Sequence, residues 1–347
     1  MMHTCKRFFL LYKRQLLTVW RAKDVCLIVL STCLLIGSSP SHSADLPSAA
    51  SDNDVANLNC NNRSADWIFC EDFEGGDLSA WDPQTPSKKG SLKIVEQPSV
   101  TTARNHVLQL RVNPGRGGIG LNKTITSGTY DRLYARWYQK YEPGFDFSAR
   151  NHGHGFHAGD RWKKGVAGMR PQGDDYFTVQ LEYETATRTQ VPRPFIYAYY
   201  RGMYMDCRDP KGQCWGDHLP CMIEQRYCRQ QAHRPVAMPP VLTDDRWYCI
   251  ELMVDAGDAV QQQSTANGEL NFWVDGQSYG PWENMWFRTS DAITITQFWL
   301  GLFHHSKHAE QGIRYDNVVI SRSRVGCGPA PGSTTDTISN PIGSLNN

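Results

Sequence analysis

Short segments in which apolar and polar side chains alternate dominate this sequence. In 176–183 every second residue is Phe, Val, Leu or Tyr, and the residues between them are mainly polar. A period of two places successive side chains on opposite faces of a β-strand. Segments of this kind, rich in β-branched and aromatic residues, cover 67–73, 92–95, 107–112, 132–141, 176–183, 195–201, 247–254, 270–274, 293–303 and 315–321. Since no amphipathic helical pattern exceeds two turns, we predict an all-β sandwich or barrel.

The polar face of several predicted strands also carries aromatic rings. Tyr134, Arg136 and Tyr138 alternate with apolar residues, and so do Trp299 and His305 further along the chain. A face that only meets water is typically rich in Lys, Glu and Thr instead. Rings beside hydrogen-bonding groups suit sugars, whose C–H faces stack and whose hydroxyls need partners. We therefore predict a carbohydrate-binding face, with an ordinary surface beneath loops as the alternative.

The first 44 residues have the layout of a secretory signal. Basic residues precede a 12-residue apolar run at 25–36, and small and polar residues follow it. The run is shorter than the ~20 residues of a bilayer span. We expect cleavage after Ala44 and a secreted or periplasmic protein with no membrane partner beyond the export signal. An uncleaved anchor is the alternative, and lipid attachment at Cys33 is a weaker one.

The leader also sets the sign of the net charge. It holds six of the 36 Lys and Arg residues and one of the 35 Asp and Glu residues, which leaves 30 against 34, or −4. Nucleic-acid-binding proteins normally concentrate basic residues on one face. We therefore expect no nucleic-acid partner, and we expect a monomer.

Cysteine usage also indicates export. Three of the 11 cysteines fall in the leader, and the remaining eight are Cys60, Cys70, Cys207, Cys214, Cys221, Cys228, Cys249 and Cys327. An even number in an exported chain favours disulfides. Zinc is the competing interpretation, but the close C-x-x-C spacing of structural zinc sites is missing. Pairing cannot be deduced from sequence; Cys60 with Cys70, and Cys249 with Cys327, are plausible pairs.

Composition divides the chain into four parts. We predict a signal peptide at 1–44, a flexible linker at 45–56, one domain at 57–328 and a disordered tail at 329–347, because the flanks are poor in large apolar residues. Within the domain, Asp275-Gly276 predicts the turn of a β-hairpin.

Several segments resemble a known fold family. Those at 68–76, 268–276 and 315–321 resemble the first strand, a strand-turn unit and the last strand of concanavalin A-like jelly rolls. Segments 141–147 and 168–173 resemble its polysaccharide-lyase-like branch, which includes glucuronan and alginate lyases and fungal cellulose-induced jelly-roll proteins. The resemblance implies an all-β, two-sheet jelly-roll sandwich, here with long disulfide-stapled loops. The alternating E-x-D-x-x-E acids of retaining glucanases of this fold are missing from the sequence, which argues against that activity.

The most unusual local string is the histidine-rich segment at 151–161. His152, His154 and His157 lie among glycines, which predicts a loop or a bent edge strand. Imidazole is a common metal ligand, so a metal site is one interpretation. A polar loop and a catalytic or sugar-contacting role are the others.

The resembled branch implies roles for the polar residues in this region. β-Elimination of a uronate requires a donor that neutralises the carboxylate, a base for the C5 proton and an acid for the departing oxygen. The resemblance assigns Arg170 and Gln180 to the carboxylate, His154 or His157 to proton abstraction and Tyr199 to leaving-group protonation. A structural ion pair is the alternative for Arg170. The expected substrate-binding residues are Arg136, Tyr138, Glu182, Tyr197, Trp299 and His305.

A structural Ca²⁺ is a second implication of the resemblance. Many relatives hold this ion where the first and last strands meet, and the matching positions here are Glu74 and Asp316. Carboxylates with backbone carbonyls are suitable ligands, although both residues could instead orient turns.

The sequence therefore predicts an exported protein whose partner is a polysaccharide, with lyase activity on a uronate-containing glycan as the leading hypothesis. A non-catalytic, lectin-like carbohydrate-binding protein is the alternative from another class. A metal-binding envelope protein built on the histidine-rich segment is a third.

Overall fold

A computed structural model of the chain describes residues 60–61, 63–83, 89–97, 105–148, 151–160, 167–185, 191–204, 213–220, 222, 237–305 and 308–328. The predicted leader, linker and tail lie outside these residues, as do Cys207, Cys221 and Cys228. Among the described residues, no helix is long and apolar enough to cross a membrane.

The described residues form β-strands in chain order. They are β1 Trp67–Glu71, β2 Gly90–Gln97, β3 Asn105–Val112, β4 Gly117–Thr124, β5 Arg132–Tyr141, β6 Asn151–His152, β7 His154–Gly159, β8 Tyr176–Thr185, β9 Pro192–Tyr199, β10 Asp217–Leu219, β11 Trp247–Asp255, β12 Gly268–Val274, β13 Gln277–Ser278, β14 Trp282–Met285, β15 Ile295–His304 and β16 Gln311–Ser321. A single 3-10 turn, Gln263–Thr265, is the only helical element in this part of the chain. All ten segments predicted as strands from alternation are confirmed.

Two antiparallel sheets divide these strands. Within the described residues, the first sheet has nine strands in the order β13-β12-β11-β5-β16-β3-β2, with β1 beside β16 and β14 beside β12. The second has seven in the order β10-β9-β8-β7-β15-β4, with β6 beside β15. This arrangement confirms the predicted two-sheet jelly-roll sandwich.

The core lies between the two sheets. Trp137 of β5 packs on Phe298 of β15 with ring centroids 5.8 Å apart, and Phe298 also contacts Phe156 of β7 at 5.4 Å. All three side chains are fully buried. Burying a large apolar side chain contributes about 1.5–3 kcal/mol, so the strands are fixed chiefly by their inward faces.

The predicted hairpin is confirmed. Val274 of β12 pairs with Gln277 of β13, and the two residues between them have positive φ angles, 50° at Asp275 and 83° at Gly276. Two consecutive positive φ values define the turn that matches the twist of a two-residue hairpin, which favours Asp-Gly.

The histidine-rich segment differs from its prediction as a loop or edge strand. Its second half is β7, which pairs with β8 on one side and β15 on the other. Glycine explains the close pairing, because a Cβ atom at Gly155 would lie 2.0 Å from the carbonyl oxygen of Val179. The glycine-rich segment, expected at an edge or in a loop, therefore forms a central strand of the sheet.

Disulfides and the C-terminal segment fasten the outer side of the first sheet. Cys60 pairs with Cys70, and Cys249 of β11 pairs with Cys327, with Cα atoms 5.7 and 5.9 Å apart, which confirms both predicted pairs. Cys214 is also disulfide-bonded. The backbone N–H groups of Val325 and Gly326 donate to the carboxylate of Glu251 on β11 at 2.7 and 3.0 Å. Residues 325–328 therefore lie across the outer face of this sheet.

Candidate functional site on the second sheet

Strand register places a group of polar and aromatic side chains on the outer face of the second sheet. In β8 Phe177, Val179 and Leu181 belong to the core. The alternating residues Thr178, Gln180 and Glu182 must therefore face outward. The same alternation assigns the outward positions of the neighbouring strands.

One row of outward residues crosses five strands through Gln180. Gln180 of β8 lies opposite Tyr197 of β9 on one side and opposite Gly155 of β7 on the other. Gly155 in turn lies opposite Trp299 of β15, which is paired with Asn122 of β4. At about 4.8 Å between strands the row spans about 19 Å. The row contains the rings of Tyr197 and Trp299 and the amides of Gln180 and Asn122. Gly155, which has no side chain, lies at its centre.

Trp299 lies flat over a pair of glycines. Gly120 and Gly301 are directly opposite each other in β4 and β15. A Cβ atom at Gly120 would lie 2.4 Å from the indole nitrogen of Trp299, and one at Gly301 would lie 2.6 Å from its ring carbon Cζ2. The ring therefore occupies the space that side chains would take at both positions. Since Trp299 is only partly buried, part of its ring is open to another flat partner such as a sugar ring.

Two tyrosines form a hydrogen-bonded pair at the β9 side of this face. The hydroxyl oxygens of Tyr197 and Tyr199 are 2.8 Å apart. Backbone N–H groups also reach them, from Gly216 to Tyr197 at 3.3 Å and from Gly168 to Tyr199 at 3.4 Å. Burial raises the pKa of Tyr199 above its ordinary value, while the hydrogen bonds from Tyr197 and Gly168 act in the opposite direction. Tyr199 consequently holds a proton at neutral pH.

His157 lies on the same face two strands from Tyr199. It pairs with Thr178 of β8, and Thr178 pairs with Tyr199 of β9. Two strand spacings place the backbones of His157 and Tyr199 roughly 10 Å apart. Gln180 lies between these strands, one outward position along from Thr178. The side chains of His157 and Tyr199 are 1% and 3% exposed, so the imidazole and the phenol lie on either side of β8 but beneath the surface of this face.

A second cluster borders the row and contains a histidine that the sequence-based site assignment omits. The Nδ1 atom of His152 is 2.6 Å from Oε1 of Glu182, and its Nε2 atom is 2.7 Å from Nε2 of His305. The His152 ring also stacks on Tyr197, with centroids 5.6 Å apart and planes at 17°. Glu182 and His305 thus reach the face as predicted, joined by His152.

His154 points the other way, into the core. Its Nδ1 atom is 3.0 Å from the hydroxyl of Tyr315, and its ring packs on Trp137 at 5.1 Å. Burial lowers the pKa of His154 to about 3. Of the two histidines proposed for proton abstraction, only His157 is on the outer face.

Arg170 is bound to backbone rather than directed onto the row. Its Nε and Nη2 atoms donate to the carbonyl oxygens of Arg201 and Met203 at 3.2 and 2.7 Å. These carbonyls belong to the turn that follows β9. Arg170 therefore holds the 168–170 segment, whose Gly168 N–H contacts Tyr199, against the end of that strand.

Arg136 and Tyr138 lie on the other sheet. Both face outward from β5, and the Tyr138 hydroxyl accepts a hydrogen bond from the N–H of Gly328 at 3.0 Å. They are 4% and 2% exposed. Alternation alone cannot tell which sheet a strand joins, so the sequence grouped them with residues of the second sheet, from which the whole sandwich separates them.

The residues expected to hold calcium lie close to one another. Asp316 is fully buried, and this burial raises its pKa well above the ordinary value; the nearby carboxylates of Glu74 and Asp72 raise it further. Its oxygens accept hydrogen bonds from Asn105 at 3.2 Å and from the Asn317 N–H at 2.7 Å. Glu74 accepts from the N–H of His106 at 2.8 Å. Carboxylates are suitable Ca²⁺ ligands, but within the described residues no three His, Cys, Asp or Glu side chains are grouped as metal ligands, so calcium at Asp316 and Glu74 stays a prediction.

The sequence matches no protein-family model and no curated protein. Similar solved structures include an endo-β-1,4-glucuronan lyase from the fungus Trichoderma reesei, at 13% identity over 74% of this chain and 96% of that chain, with a TM-score of 0.47. The cellulose-induced protein Cip1 is 14% identical over 75% of this chain and 100% of that chain, at 0.46. The alginate lyase vAL-1 from Chlorella virus is 14% identical over 66% and 89%, also at 0.46. With TM-scores below 0.5, these likenesses assign no role to individual residues.

Proposed function

We propose that this protein binds a polysaccharide across the outer face of the second sheet and cleaves a uronate-containing glycan there by β-elimination. The observation that carries the proposal is the placement of His157 and Tyr199 on either side of β8, next to the row that contains Gln180 and Trp299. Amide, imidazole, phenol and an indole ring are the groups that such a substrate and reaction need.

The elimination assigns one task to each group. The Gln180 amide donates to the uronate carboxylate, which makes the neighbouring C5–H more acidic. His157 takes the C5 proton, and the electron pair of that bond forms the C4–C5 double bond as the C4–O4 bond breaks. Tyr199 gives its proton to the departing O4 oxygen. Arg170 acts as a positioning residue for the Tyr199 side of the site.

Binding without catalysis is the second candidate function. The flat placement of Trp299 on Gly120 and Gly301 supports sugar stacking whether or not His157 and Tyr199 act as base and acid. The two functions differ in their product, because only elimination creates an unsaturated sugar that absorbs ultraviolet light.

The test is a screen of the protein against glucuronan, alginate, pectate and cellulose. We expect ultraviolet absorbance to rise with a uronate polymer, and to be lost in His157→Gln and Tyr199→Phe. Retention on an immobilised glycan without any unsaturated product would replace the lyase proposal with the binding one. Absence of both binding and product would reject the site.

Two further properties belong to the same proposal. Disulfides persist in oxidising compartments, so the pairs Cys60–Cys70 and Cys249–Cys327 support an exported protein. We also propose, on the resemblance of the first and last strands alone, a structural Ca²⁺ ion held by Glu74 and Asp316. The expectations of a monomer and of no nucleic-acid partner stay predictions.

A further inference from the structure

Two histidine nitrogens face each other on the outer side of the second sheet. The Nε2 atoms of His152 and His305 are 2.7 Å apart. His152 is in β6, directly opposite Phe303 of β15, and His305 follows two residues later on the same side. The two imidazoles therefore reach toward one point from neighbouring strands.

The carboxylate of Glu182 orients one of these rings. Its Oε1 atom is 2.6 Å from Nδ1 of His152, and Glu182 is 7% exposed. This contact places the ring proton on Nδ1 in the neutral imidazole, which leaves the lone pair on Nε2. Metal-ligating histidines typically have this arrangement: a carboxylate accepts the proton of one ring nitrogen, and the lone pair of the other ring nitrogen points away from that carboxylate.

Aromatic neighbours hold both rings in place. Tyr197 stacks on His152, and Phe303 packs edge-on against His305 with centroids 5.1 Å apart. The rings of His152 and His305 are themselves 4.5 Å apart at 73°. Since these contacts exist before any ligand binds, less ordering entropy opposes the binding of a ligand at the two nitrogens.

We propose that His152 and His305 bind one divalent transition-metal ion through their Nε2 atoms, with Glu182 as the outer partner of His152. Imidazole ligands suit Cu²⁺, Zn²⁺ and Ni²⁺, whereas Ca²⁺ and Mg²⁺ prefer oxygen. A metal takes each nitrogen at about 2.0–2.1 Å, so the two Nε2 atoms need to move apart by about 0.2 Å for a square-planar ion and by about 0.6 Å for a tetrahedral one. Within the described ranges no three His, Cys, Asp or Glu side chains form a metal site, and solvent or substrate oxygens would fill the remaining positions.

This site is independent of the proposed elimination, which uses His157, Gln180 and Tyr199. Metal binding can therefore be measured on the protein alone, with no glycan present. A failure of one proposal leaves the other standing.

The experiment is a titration of the full chain, purified without a polyhistidine tag, with Cu²⁺ and with Zn²⁺ by calorimetry at neutral pH. We expect one equivalent to bind, and His152→Gln or His305→Gln to weaken affinity at least tenfold. Glu182→Gln should weaken it about 10–100-fold, the usual effect of removing an outer partner. His106→Gln is the matched control, because His106 pairs with Glu74 on the other sheet, and it should bind like the unaltered protein.

The Cu²⁺ electron paramagnetic resonance spectrum gives a second measurement that needs no folded variant. We expect hyperfine coupling to two imidazole nitrogens in the unaltered protein. The proposal is overturned if the spectrum shows no nitrogen ligand, if no equivalent binds, or if folded His152→Gln and His305→Gln proteins bind as tightly as the unaltered one.

Discussion

The hydroxyl oxygens of Tyr197 and Tyr199 lie 2.8 Å apart on the outer face of the second sheet. Burial raises the pKa of both phenols, and that of Tyr197 lies well above its ordinary range. Either hydroxyl can donate in the hydrogen bond between them. When Tyr199 gives its proton to the substrate, as proposed, the Tyr197 hydroxyl can donate to the oxygen left behind.

Tyr199→Phe is expected to remove lyase activity while leaving glycan binding in place. Proton transfer by a positioned side chain contributes roughly 100–10,000-fold to a rate, so kcat should fall by at least the lower figure and KM should change little. The measurement is the initial rate of unsaturated product formation. Tyr197→Phe, which keeps the ring against His152, should lose distinctly less. Equal losses of kcat in the two variants would contradict the assignment of Tyr199 as the proton donor and Tyr197 as its hydrogen-bond partner.

Gly301→Val is expected to weaken glycan binding without touching the acid and base. The added side chain would occupy the space of the Trp299 indole, which must then tilt away from the sheet. A sugar ring stacks on an aromatic side chain only where a flat face of that side chain is accessible. The affinity for an immobilised or soluble glycan should therefore fall about as much as in Trp299→Ala. Titration calorimetry with the preferred oligosaccharide checks this. A Gly301→Val protein with unaltered affinity would mean that the indole is not the binding platform.

The strands were predictable because their signal is local. In β8, alternation alone separated Thr178, Gln180 and Glu182 from the core residues between them. The same logic failed for β4 and β7, where glycines carry no hydrophobic pattern. Gly155 is required by an approach of 2.0 Å between its virtual Cβ and the Val179 carbonyl, and only the neighbouring strand makes that requirement visible.

The site was predictable only in part because it depends on which sheet each strand joins. Tyr138 and Tyr197 have the same local pattern, yet one lies beneath the C-terminal segment and the other in the proposed site. In the sequence, nothing distinguishes His152 from the other two histidines of the histidine-rich segment. Its distinguishing feature, the contact with Glu182, joins residues 30 positions apart in the chain.

Asp316→Asn is expected to abolish a calcium-dependent gain in thermal stability. With a cation bound, the buried carboxylate and its neighbours Glu74 and Asp72 no longer repel one another, so added Ca²⁺ should raise the Tm of the unaltered protein and a chelator should lower it. The variant should have the same Tm with Ca²⁺ and with chelator. Calorimetric melting in both conditions is the measurement. If the unaltered protein is also indifferent to chelator, Asp316 and Glu74 only orient turns.

The free energy of unfolding is expected to fall as pH is lowered from 7 toward 4, in part because of His154. Burial lowers its folded-state pKa to about 3 from the ordinary 6.5, so the unfolded chain binds a proton that the folded protein excludes. This stability is present above pH 6.5 and is lost as pH falls toward 3, by about 2 kcal/mol between pH 6.5 and 5. Denaturant unfolding at several pH values should show a shallower slope for His154→Gln. An unchanged slope would contradict the assignment.

Loss of the Cys249–Cys327 disulfide is expected to destabilise the first sheet while leaving the candidate site on the second intact. The bond closes a loop of 78 residues, for which chain entropy gives about 4.5 kcal/mol of stabilisation. It also holds the segment that covers Glu251, whose carboxylate accepts two backbone hydrogen bonds from that segment.

In a Cys249→Ala/Cys327→Ala protein these hydrogen bonds form without a covalent tether. Hydrogen exchange at Val325 and Gly326 should therefore be faster, and the Tm should be lower. Cu²⁺ affinity at His152 and His305 should stay as it was at temperatures well below the new Tm, because the whole core separates the two faces. A loss of that affinity in the folded double variant would show that the two sheets do not hold their outer faces independently.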